Sequence, residues 1–297
     1  GWNESLIEAL GLSRDLFPEL VPSCVLGGEL SVQAAAAMGL PRGLPVAVAA
    51  GDHQCSFAGS VADFSASAAI NVGTGGQSTV YLRDLDGLGT RSFAGRHADV
   101  VVEHGSLELR PFLDGGYLLA GVGVVGGRTL RTLGDFFAAV GESVFGLAVD
   151  TASIYTRLIE LAAVDCEDRP PHFAPYFTGT RIDANAAGVL SQLRPGNFTP
   201  GQVARALFEG MADELHRAYA EAVALGAGRR DRLVGSGNGL RLNPVLCSAL
   251  ESRFGMQVLF AAHREEAAVG AGLCASVASG ECGSIAEASR SFVRYEQ

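Results

Sequence analysis

The chain has 297 residues, which is enough for one large domain or for two lobes with a sizeable core. Hydrophobic residues make up 48% and charged residues 18%, a composition that excludes an intrinsically disordered chain. Because the net charge is −10, attraction to nucleic acid or to an anionic membrane surface is not expected, and we predict neither as a partner.

Cysteine and histidine usage bears on the compartment and on metal binding. The six cysteines include no CxxC pair, so we expect reduced thiols and a cytoplasmic protein rather than a disulfide framework. The six histidines form no HExxH motif, so no zinc site is predicted. The longest nearly apolar stretch, 117–125, is too short to span a bilayer.

The first segment is predicted to begin with a helix. Asn3 or Ser5 can cap the apolar pattern of Leu6, Ile7 and Leu10. Prolines and glycines between positions 18 and 28 then indicate an irregular crossing segment. There is no initiator methionine, and the opening is typical of a helix within a longer protein, so we expect the chain to be the later part of one.

Two glycine-bearing turns each follow an apolar run. Val46–Ala50 leads into a GDHQ turn that carries Asp52, and Ala68–Val72 leads into a GTGGQ turn that carries Thr74. Each run is predicted to be a buried strand that ends at its turn. The first turn offers a carboxylate, and the second offers N–H groups and a hydroxyl that suit a phosphate. Together they suggest phosphoryl transfer to a hydroxyl, although each turn alone is better explained as an ordinary connection.

The middle of the chain is predicted to alternate between extended and helical segments. Apolar residues at helical spacing predict helices over Gly126–Val140 and Thr151–Val164. The segment 170–195, rich in Pro, Gly and Asn, is predicted to be a loop. Extended segments, of which the first two form a hairpin around the GTGG turn, are predicted at Ser67–Val72, Gln77–Arg83, Asp99–Glu103 and Leu107–Phe112.

The clearest helix signal in the chain begins at Thr199. Thr199 fits the N-cap, Pro200 fits the first helical position, and Gln202 completes a capping box. Gly226 and Gly228 are predicted to end this helix. Its predicted core-facing stripe consists of Val203, Leu207, Met211, Leu215, Ala218 and Ala222.

A further strand–turn–helix unit follows. A strand over 232–234 enters a GSGNG turn, and Asn243 precedes a helix that is predicted to stop at Gly255. Met256–Ala261 is another predicted strand, and Glu265–Ala278 is a predicted helix whose small residues allow close backbone packing. Strands that alternate with helices after an initial meander predict an α/β layered fold.

Five segments resemble, in this order, the second half of the FGGY carbohydrate kinases, which belong to the actin-like, RNase H-like ATPase superfamily. They are GDHQ at 51–54, INVGTGGQ at 70–77, VVGGRTL at 124–130, LVGSGNGLRLNP at 233–244 and EEAAVGAG at 265–272. The resemblance implies an actin-like ATPase lobe, with a mixed sheet flanked by helices. Residues 1–60 would be the tail of an N-terminal sugar-binding lobe with the interlobe connection, and residues 61–297 the C-terminal ATP-binding lobe. We therefore expect the rest of the first lobe, with its DxGT-type phosphate loop, to be missing from these 297 residues.

The resemblance also implies roles around the GDHQ turn. Asp52 falls where these kinases keep the general base that takes the proton of the sugar hydroxyl. Its alternative role is to cap a helix over 54–60. Gln54 matches a position that contacts the sugar, with a surface position as the alternative, and His53 is predicted to be a packing residue.

Small residues in the remaining turns would let backbone N–H groups reach phosphate oxygens. Asn243 is about equally suited to adenine contact and to capping the helix that starts at Pro244. The implied ATP-binding residues are Gly73, Thr74 and Gly75 at the first phosphate-binding turn, Gly126 and Gly127 at a second, and Gly235, Gly237, Asn238 and Asn243 near the adenosine.

The implied reaction is the phosphorylation of a sugar hydroxyl by ATP and Mg²⁺. The ELRPF, PYFTGTR and SGNGLRLNP segments are most similar to family members that act on the seven-carbon ketose sedoheptulose, with xylulose or glycerol as alternative acceptors. A non-catalytic actin-like ATP-binding module is the alternative from another class, and the presence of Asp52 argues against it. The expected partners are the sugar, the missing N-terminal lobe and a second copy in a homodimer. The Mg²⁺ ligands are expected in the missing lobe, so none is assigned here.

Overall fold

The computed structural model describes residues 2–86, 88, 107–122, 125–165, 168–180 and 183–296. The helices are α1 Glu4–Ala9, α2 Val32–Met38, α3 Asp52–Ser60, α4 Gly127–Phe145, α5 Thr151–Ala162, α6 Pro200–Ala222, α7 Asn238–Arg241, α8 Pro244–Phe254, α9 Glu266–Ala278 and α10 Ile285–Phe292. The strands are β1 Leu26–Glu29, β2 Pro45–Ala47, β3 Ser67–Val72, β4 Gly76–Leu82, β5 Leu107–Pro111, β6 Tyr117–Val122, β7 His172–Ala174, β8 Val189–Ser191, β9 Arg232–Ser236 and β10 Val258–Phe260. The predicted extended segment Asp99–Glu103 lies outside the described residues.

The main sheet has six strands in the order β10-β9-β3-β4-β6-β5. Strands β10, β9 and β3 are parallel, whereas β3, β4, β6 and β5 pair antiparallel. In the β3–β9 pair, Ser67 lies opposite Arg232 and Asn71 lies opposite Ser236, so the two strands end side by side. The predicted α/β fold, a mixed sheet flanked by helices, is confirmed.

Helices cover both faces of this sheet because side chains alternate along each strand. Ala68, Ile70 and Val72 of β3 pack in a core with α4, α5, α6 and α8, while Ala69 packs against a second core formed with α3, α9 and α10. The predicted apolar stripe of α6 is buried at all six positions, which confirms that it faces the core.

Helices α3 and α9 approach each other through glycine. A Cβ atom at Gly59 would overlap the carbonyl oxygen of Glu266, and a Cβ atom at Gly270 would overlap that of Cys55. The prediction that small residues in the helix over 265–278 allow close backbone packing is confirmed. This contact fixes α3, whose first residue is Asp52, against the rest of the domain.

Several helix boundaries follow local side-chain chemistry, as predicted. The side chain of Asn3 caps α1, and Thr199 Oγ1 accepts the Gln202 N–H at 3.3 Å at the start of α6. Gly255, with a φ of 66°, ends α8 in the left-handed region that glycine adopts without strain. The capping box is wrong, because the Gln202 Oε1 atom is buried without a hydrogen-bond partner among the described residues.

The structure differs from the sequence predictions at three places that involve strands. The run before Gly51 is not a buried strand of the main sheet: β2 is three residues long, pairs with β1 in a separate two-stranded sheet, and leaves Val46 41% exposed. The predicted loop 170–195 contains the antiparallel pair β7–β8. Strand β6, which the sequence patterns did not predict, lies between β4 and β5.

The described helices and cysteines bear on membrane spans and disulfides. None of the helices that the structure describes is long and apolar enough to cross a membrane. The cysteines at 24, 55, 247, 274 and 282 are free thiols.

Candidate active site

The turn between β3 and β4 is held in shape by the start of α4. Gly127 N–H donates to Gly73 O at 2.8 Å, and Arg128 N–H donates to Thr74 O at 3.1 Å. A Cβ atom at Gly126 would overlap the backbone of Gly75, so the start of α4 requires glycine where it touches the turn. The sequence places glycine where the two backbones meet, and the helix start supports the turn.

The exposed part of this turn presents free donors. Gly73 N–H donates to Gly75 O at 2.9 Å, which closes the turn on itself. No acceptor among the described residues takes the N–H groups of Thr74 and Gly75, and both residues are exposed. Two adjacent free N–H groups and a hydroxyl form an arrangement that suits an anion.

A second turn, between β9 and α7, packs on the end of β3. Gly237 has a φ of 85°, and a Cβ atom there would lie 2.9 Å from the Val72 carbonyl carbon. Both requirements favour glycine. Because β3 and β9 are parallel neighbours, their turns open at the same edge of the sheet, where ligands bind in open α/β sheets.

Between the two turns is a cavity of about 670 Å³, which we call the glycine-turn cavity. Arg128 and Arg131 lie on its α4 wall and contribute positive charge in a chain whose net charge is −10. Sequence analysis missed both arginines, although their i, i+3 spacing at the start of a predicted helix places them on one face. The cavity is lined by Gly73, Thr74, Gly127, Arg128, Leu130, Arg131, Tyr155, Ile159, Asn238, Gly239, Leu242 and Asn243.

The predicted ATP-binding residues fall into three groups. Those that line the glycine-turn cavity are Gly73, Thr74, Gly127, Asn238 and Asn243. Gly75 and Gly126 line an adjacent pocket of about 150 Å³ with Thr74 and Arg128. Gly237 shapes the second turn, whereas Gly235 lies inside β9. A Cβ atom at Gly235 would lie 2.6 Å from Val258 Cγ1, so close packing explains why this residue is glycine.

Asn243 has a structural role as well as a place in the cavity wall. Its Oδ1 accepts the Leu246 N–H at 3.0 Å, which makes it the N-cap of α8. The side chain is buried, with 3% exposure. The capping alternative is therefore confirmed, and adenine contact stays a prediction.

Asp52 lines a different cavity, of about 200 Å³, which we call the Asp52 cavity. The side chain is exposed, and its Oδ1 accepts the N–H of the neighbouring His53 at 2.7 Å. The N-cap of α3 is Gly51, so the alternative that Asp52 caps the helix is wrong, and Asp52 is its first residue. The cavity is lined by Asp52, His53, Ser56, Phe57, Ser60, Ala69, Asn71, Gln77, Thr79, Arg110 and Ser236.

His53 is held neutral within the wall of this cavity. Its Nε2 lies 3.2 Å from Thr79 Oγ1, and its Nδ1 is buried without a partner among the described residues. Burial, followed by the positive charge of Arg110, lowers the pKa of His53 to about 4. His53 thus packs in the cavity wall, and its Nδ1 faces no partner in the part of the chain that the structure describes.

Gln54 contacts the end of β5, and its predicted sugar contact stays a prediction. Its Nε2 donates to Pro111 O at 3.1 Å, so the side chain ties α3 to the end of β5, and it is not among the residues that line the Asp52 cavity. Gln77, which sequence analysis did not single out, lines the cavity and has a buried Oε1 without a partner in the described ranges.

The two cavities lie near the same ends of β3 and β9. Asn71 and Ser236 line the Asp52 cavity, and Asn71 Nδ2 donates to Ser236 Oγ at 2.8 Å. Gly73 and Asn238 each follow two residues later in the chain, beyond the strand ends, and line the glycine-turn cavity. The carboxylate and the free N–H groups thus border neighbouring cavities at one edge of the sheet.

Family models match most of the chain. Residues 98–279 match the FGGY family of carbohydrate kinases, C-terminal domain, and residues 1–59 match the N-terminal domain of the same family. The chain belongs to the FGGY family of carbohydrate kinases. This confirms the family resemblance drawn from the five sequence segments.

The FGGY chain is 25% identical over 272 residues to the sedoheptulokinase of Homo sapiens, an alignment that covers 92% of the chain and 53% of that protein. Its fold is similar to that of xylulose kinase from Rhodospirillum rubrum (TM-score 0.76, 23% identity, 99% of this chain and 55% of the other). It is also similar to Plasmodium falciparum glycerol kinase with ADP (TM-score 0.71, 17% identity, 100% and 55%). The chain thus spans about half the length of the relatives that it matches.

Proposed function

We propose that this chain is the ATP-binding half of a sugar kinase in which Asp52 is the general base. The observation that carries the proposal is the position of Asp52 and the Thr74 turn around the same two strand ends, those of β3 and β9. A base for the acceptor and N–H donors for a phosphate are the two elements that phosphoryl transfer to a hydroxyl requires. A carboxylate at this position argues against the alternative of a non-catalytic ATP-binding module.

The glycine-turn cavity fits a nucleotide by the chemistry of its donors. Thr74 and Gly75 would hold phosphate oxygens through their free N–H groups, and Thr74 adds a hydroxyl. Arg128 and Arg131 would offset phosphate charge, while Asn238 and Asn243 lie on the wall expected to face the adenosine. Gly127 would act indirectly, because its N–H already holds the Thr74 turn.

Mg²⁺ bound together with ATP would offset charge on the phosphates. Among the described residues, no group of three or more His, Cys, Asp or Glu side chains is placed to hold a metal ion. We therefore propose that protein ligands to Mg²⁺ come from the rest of the N-terminal domain.

In the proposed reaction, Asp52 accepts the proton of an acceptor hydroxyl while that oxygen attacks the γ-phosphorus of ATP. The bond between the γ-phosphorus and the β,γ-bridging oxygen breaks, and ADP leaves. The Thr74 turn stabilises negative charge on the transferring group through donors that the start of α4 holds in place. His53 is neutral near pH 7 and does not compete with Asp52 for that proton.

Sedoheptulose is the proposed acceptor, on the strength of three segments of this sequence and of the 25% identity to human sedoheptulokinase. Xylulose and glycerol are the alternatives, because kinases of those names have similar folds. The proposed partner is the remainder of the N-terminal domain, which would cover exposed apolar residues such as Leu10, Leu16 and Val32. Cytoplasmic location and a homodimer stay predictions.

The acceptor is tested by steady-state kinetics on the full-length protein that contains this chain. Values of kcat/KM for sedoheptulose, xylulose and glycerol, at fixed ATP and Mg²⁺, should be highest for sedoheptulose. A higher value for another acceptor would replace the substrate and keep the kinase. The absence of sugar-dependent ADP formation with all acceptors would overturn the proposed function.

The nucleotide side is tested separately on Thr74. Thr74→Val keeps the shape of the side chain and removes the hydroxyl donor, so the Kd for ATP should rise about 10-fold, as for the loss of one hydrogen bond to a charged group. Thr156→Val is the matched control, because Thr156 is exposed on α5 and bonds only its own helix. Equal Kd values for the two variants in calorimetry would remove Thr74 from the ATP site.

A further inference from the structure

Arg110 lies in the wall of the Asp52 cavity and has no part in the proton transfer described above. Arg110 and Glu108 are two residues apart on β5, so their side chains lie on the same face of the strand. Arg110 Nε and Nη2 both donate to Glu108 Oε2, at 3.0 and 2.6 Å. This ion pair holds the guanidinium at a fixed place and offsets its charge.

One end of the guanidinium is still available. Nη1 has no acceptor among the residues that the structure describes, although the side chain is only 30% exposed. Arginine carries five N–H donors, and those on Nε and Nη2 that face Glu108 are in use. Arg110 thus offers oriented donors beside Asp52.

Two further groups on the same cavity wall lack partners. The Nδ1 atom of His53 and the Oε1 atom of Gln77 are buried without hydrogen bonds within the described ranges. Unsatisfied buried polar atoms are costly, so a partner that completes them is favoured. A hydroxyl group can both donate and accept, and several hydroxyls on one molecule would match this mixture of donors and acceptors.

We propose that Arg110 is a specificity-determining residue of the acceptor site, and that it donates from Nη1 to an acceptor oxygen other than the one that Asp52 activates. The inference rests on the proposed kinase function and names the chemistry that the site selects. Because Glu108 offsets the guanidinium charge, the site favours a neutral polyhydroxylated acceptor over an anionic one. Arg110 positions the acceptor and takes no part in moving its proton.

The test combines variants of Arg110 with deoxygenated acceptors, in the full-length kinase. For the acceptor that the wild type prefers, Arg110→Met should lower kcat/KM about 10- to 100-fold, as for a lost hydrogen bond to a charged group, and leave the KM for ATP unchanged. One monodeoxy analogue should be a poor substrate for the wild type by a similar factor. The Arg110→Met variant should no longer distinguish this analogue from the parent sugar. The reason is that the variant has no donor for the oxygen by which the two sugars differ.

Two controls separate specificity from folding. Arg157→Met removes an arginine that is 68% exposed on α5 and should leave every acceptor ratio unchanged. Arg110→Lys keeps a cation but loses the fork that Glu108 holds, so it should recover part of the discrimination. If Arg110→Met fails to fold, as judged by circular dichroism, the lysine variant alone decides the question, since wild-type discrimination in it would overturn the proposal.

The outcomes distinguish this inference from the function on which it rests. A wild type that binds ATP but phosphorylates no sugar overturns the proposed function and the role of Arg110 with it. The wild type could instead phosphorylate a sugar while the Arg110 variants reject every deoxy analogue as the wild type does. That result overturns only the inference.

Discussion

Asp52 is the residue on which the proposed chemistry depends. Asp52→Asn keeps the size of the side chain and removes its basicity, so kcat of the full-length kinase should fall about 100-fold or more. The KM for ATP should change less than about 2-fold, because Asp52 lines the Asp52 cavity and not the glycine-turn cavity. Steady-state kinetics with varied sugar and varied ATP measure both quantities. An unchanged kcat would reduce Asp52 to a carboxylate that offsets the α3 dipole.

His53 makes the stability of the chain depend on pH. Its pKa is about 4 in the folded state, against an ordinary histidine value of 6.5, so the unfolded chain binds more protons between these values. The His53 contribution is fully present above pH 6.5, and the free energy of unfolding should fall as the pH is lowered from about 6.5 to 4. Urea unfolding of the wild type and of His53→Gln measures this dependence, which should be weaker in the variant.

The control for His53 is His172→Gln, which removes an exposed histidine from β7. It should keep the pH dependence of the wild type. Identical slopes for the wild type and His53→Gln over this window would mean that His53 is not buried as the structure describes.

Among single residues, the sequence predicted those that belong to contiguous motifs. It missed those that the fold brings to the site from distant parts of the chain. Asp52 and Thr74 follow from the GDHQ and GTGG turns. Arg110 reaches the Asp52 cavity because β3, β4, β6 and β5 lie side by side in one sheet, an order that spacing along the chain does not reveal. Gln77 belongs to the GTGGQ turn, but its place in the cavity depends on the pairing of β4 with β3. The hydrogen bond from Gln54 to Pro111 was unpredictable for the same reason, since the two residues are 57 positions apart.

Among the secondary-structure elements, helices with local capping signals were the most predictable. The N-caps Asn3, Thr199 and Asn243 act within three or four residues, so the sequence contains the whole interaction. Strands depend on partners that are distant in sequence. The apolar run at β2 therefore predicted burial that the fold does not provide, and β6 was missed although it is central to the antiparallel part of the sheet.

The contact between α3 and α9 yields a stability prediction for these elements. Gly270→Ala would place a methyl group on the Cys55 carbonyl oxygen, and backbone is not free to move aside, so unfolding should cost roughly 2–3 kcal/mol less. Gly272→Ala on the same helix is the matched control, because a Cβ atom there meets nothing within 4 Å. This control should gain about 0.5–1 kcal/mol from helix propensity.

Urea unfolding of the two alanine variants measures both changes. Equal stabilities would show that α3 and α9 are further apart than the structure describes. Because Asp52 begins α3, loosening this contact should also lower kcat in the full-length kinase without changing the Kd for ATP.

At the scale of the whole molecule, the chain combines a well-packed sheet domain with a first segment that is largely exposed. Leu10, Leu16 and Val32 are each more than 60% exposed, at 63%, 69% and 66%. This segment matches the N-terminal domain of the family over residues 1–59, and the chain covers 53% of human sedoheptulokinase. The acceptor site, as proposed, thus has one wall in this chain and further walls in the remainder of the N-terminal domain.

The prediction that follows concerns the 297-residue chain by itself. It should bind ATP, because the glycine-turn cavity is built from its own residues, and it should not phosphorylate sedoheptulose at a measurable rate. Positioning of the reacting groups can supply roughly 7–11 kcal/mol of the rate enhancement, and a single wall does not position an acceptor. Calorimetry with ATP and a coupled ADP assay with sedoheptulose, run beside the full-length protein, measure the two properties. Turnover by the 297-residue chain at about 1–100 s⁻¹, the usual range for kinases, would show that the acceptor site is complete within it.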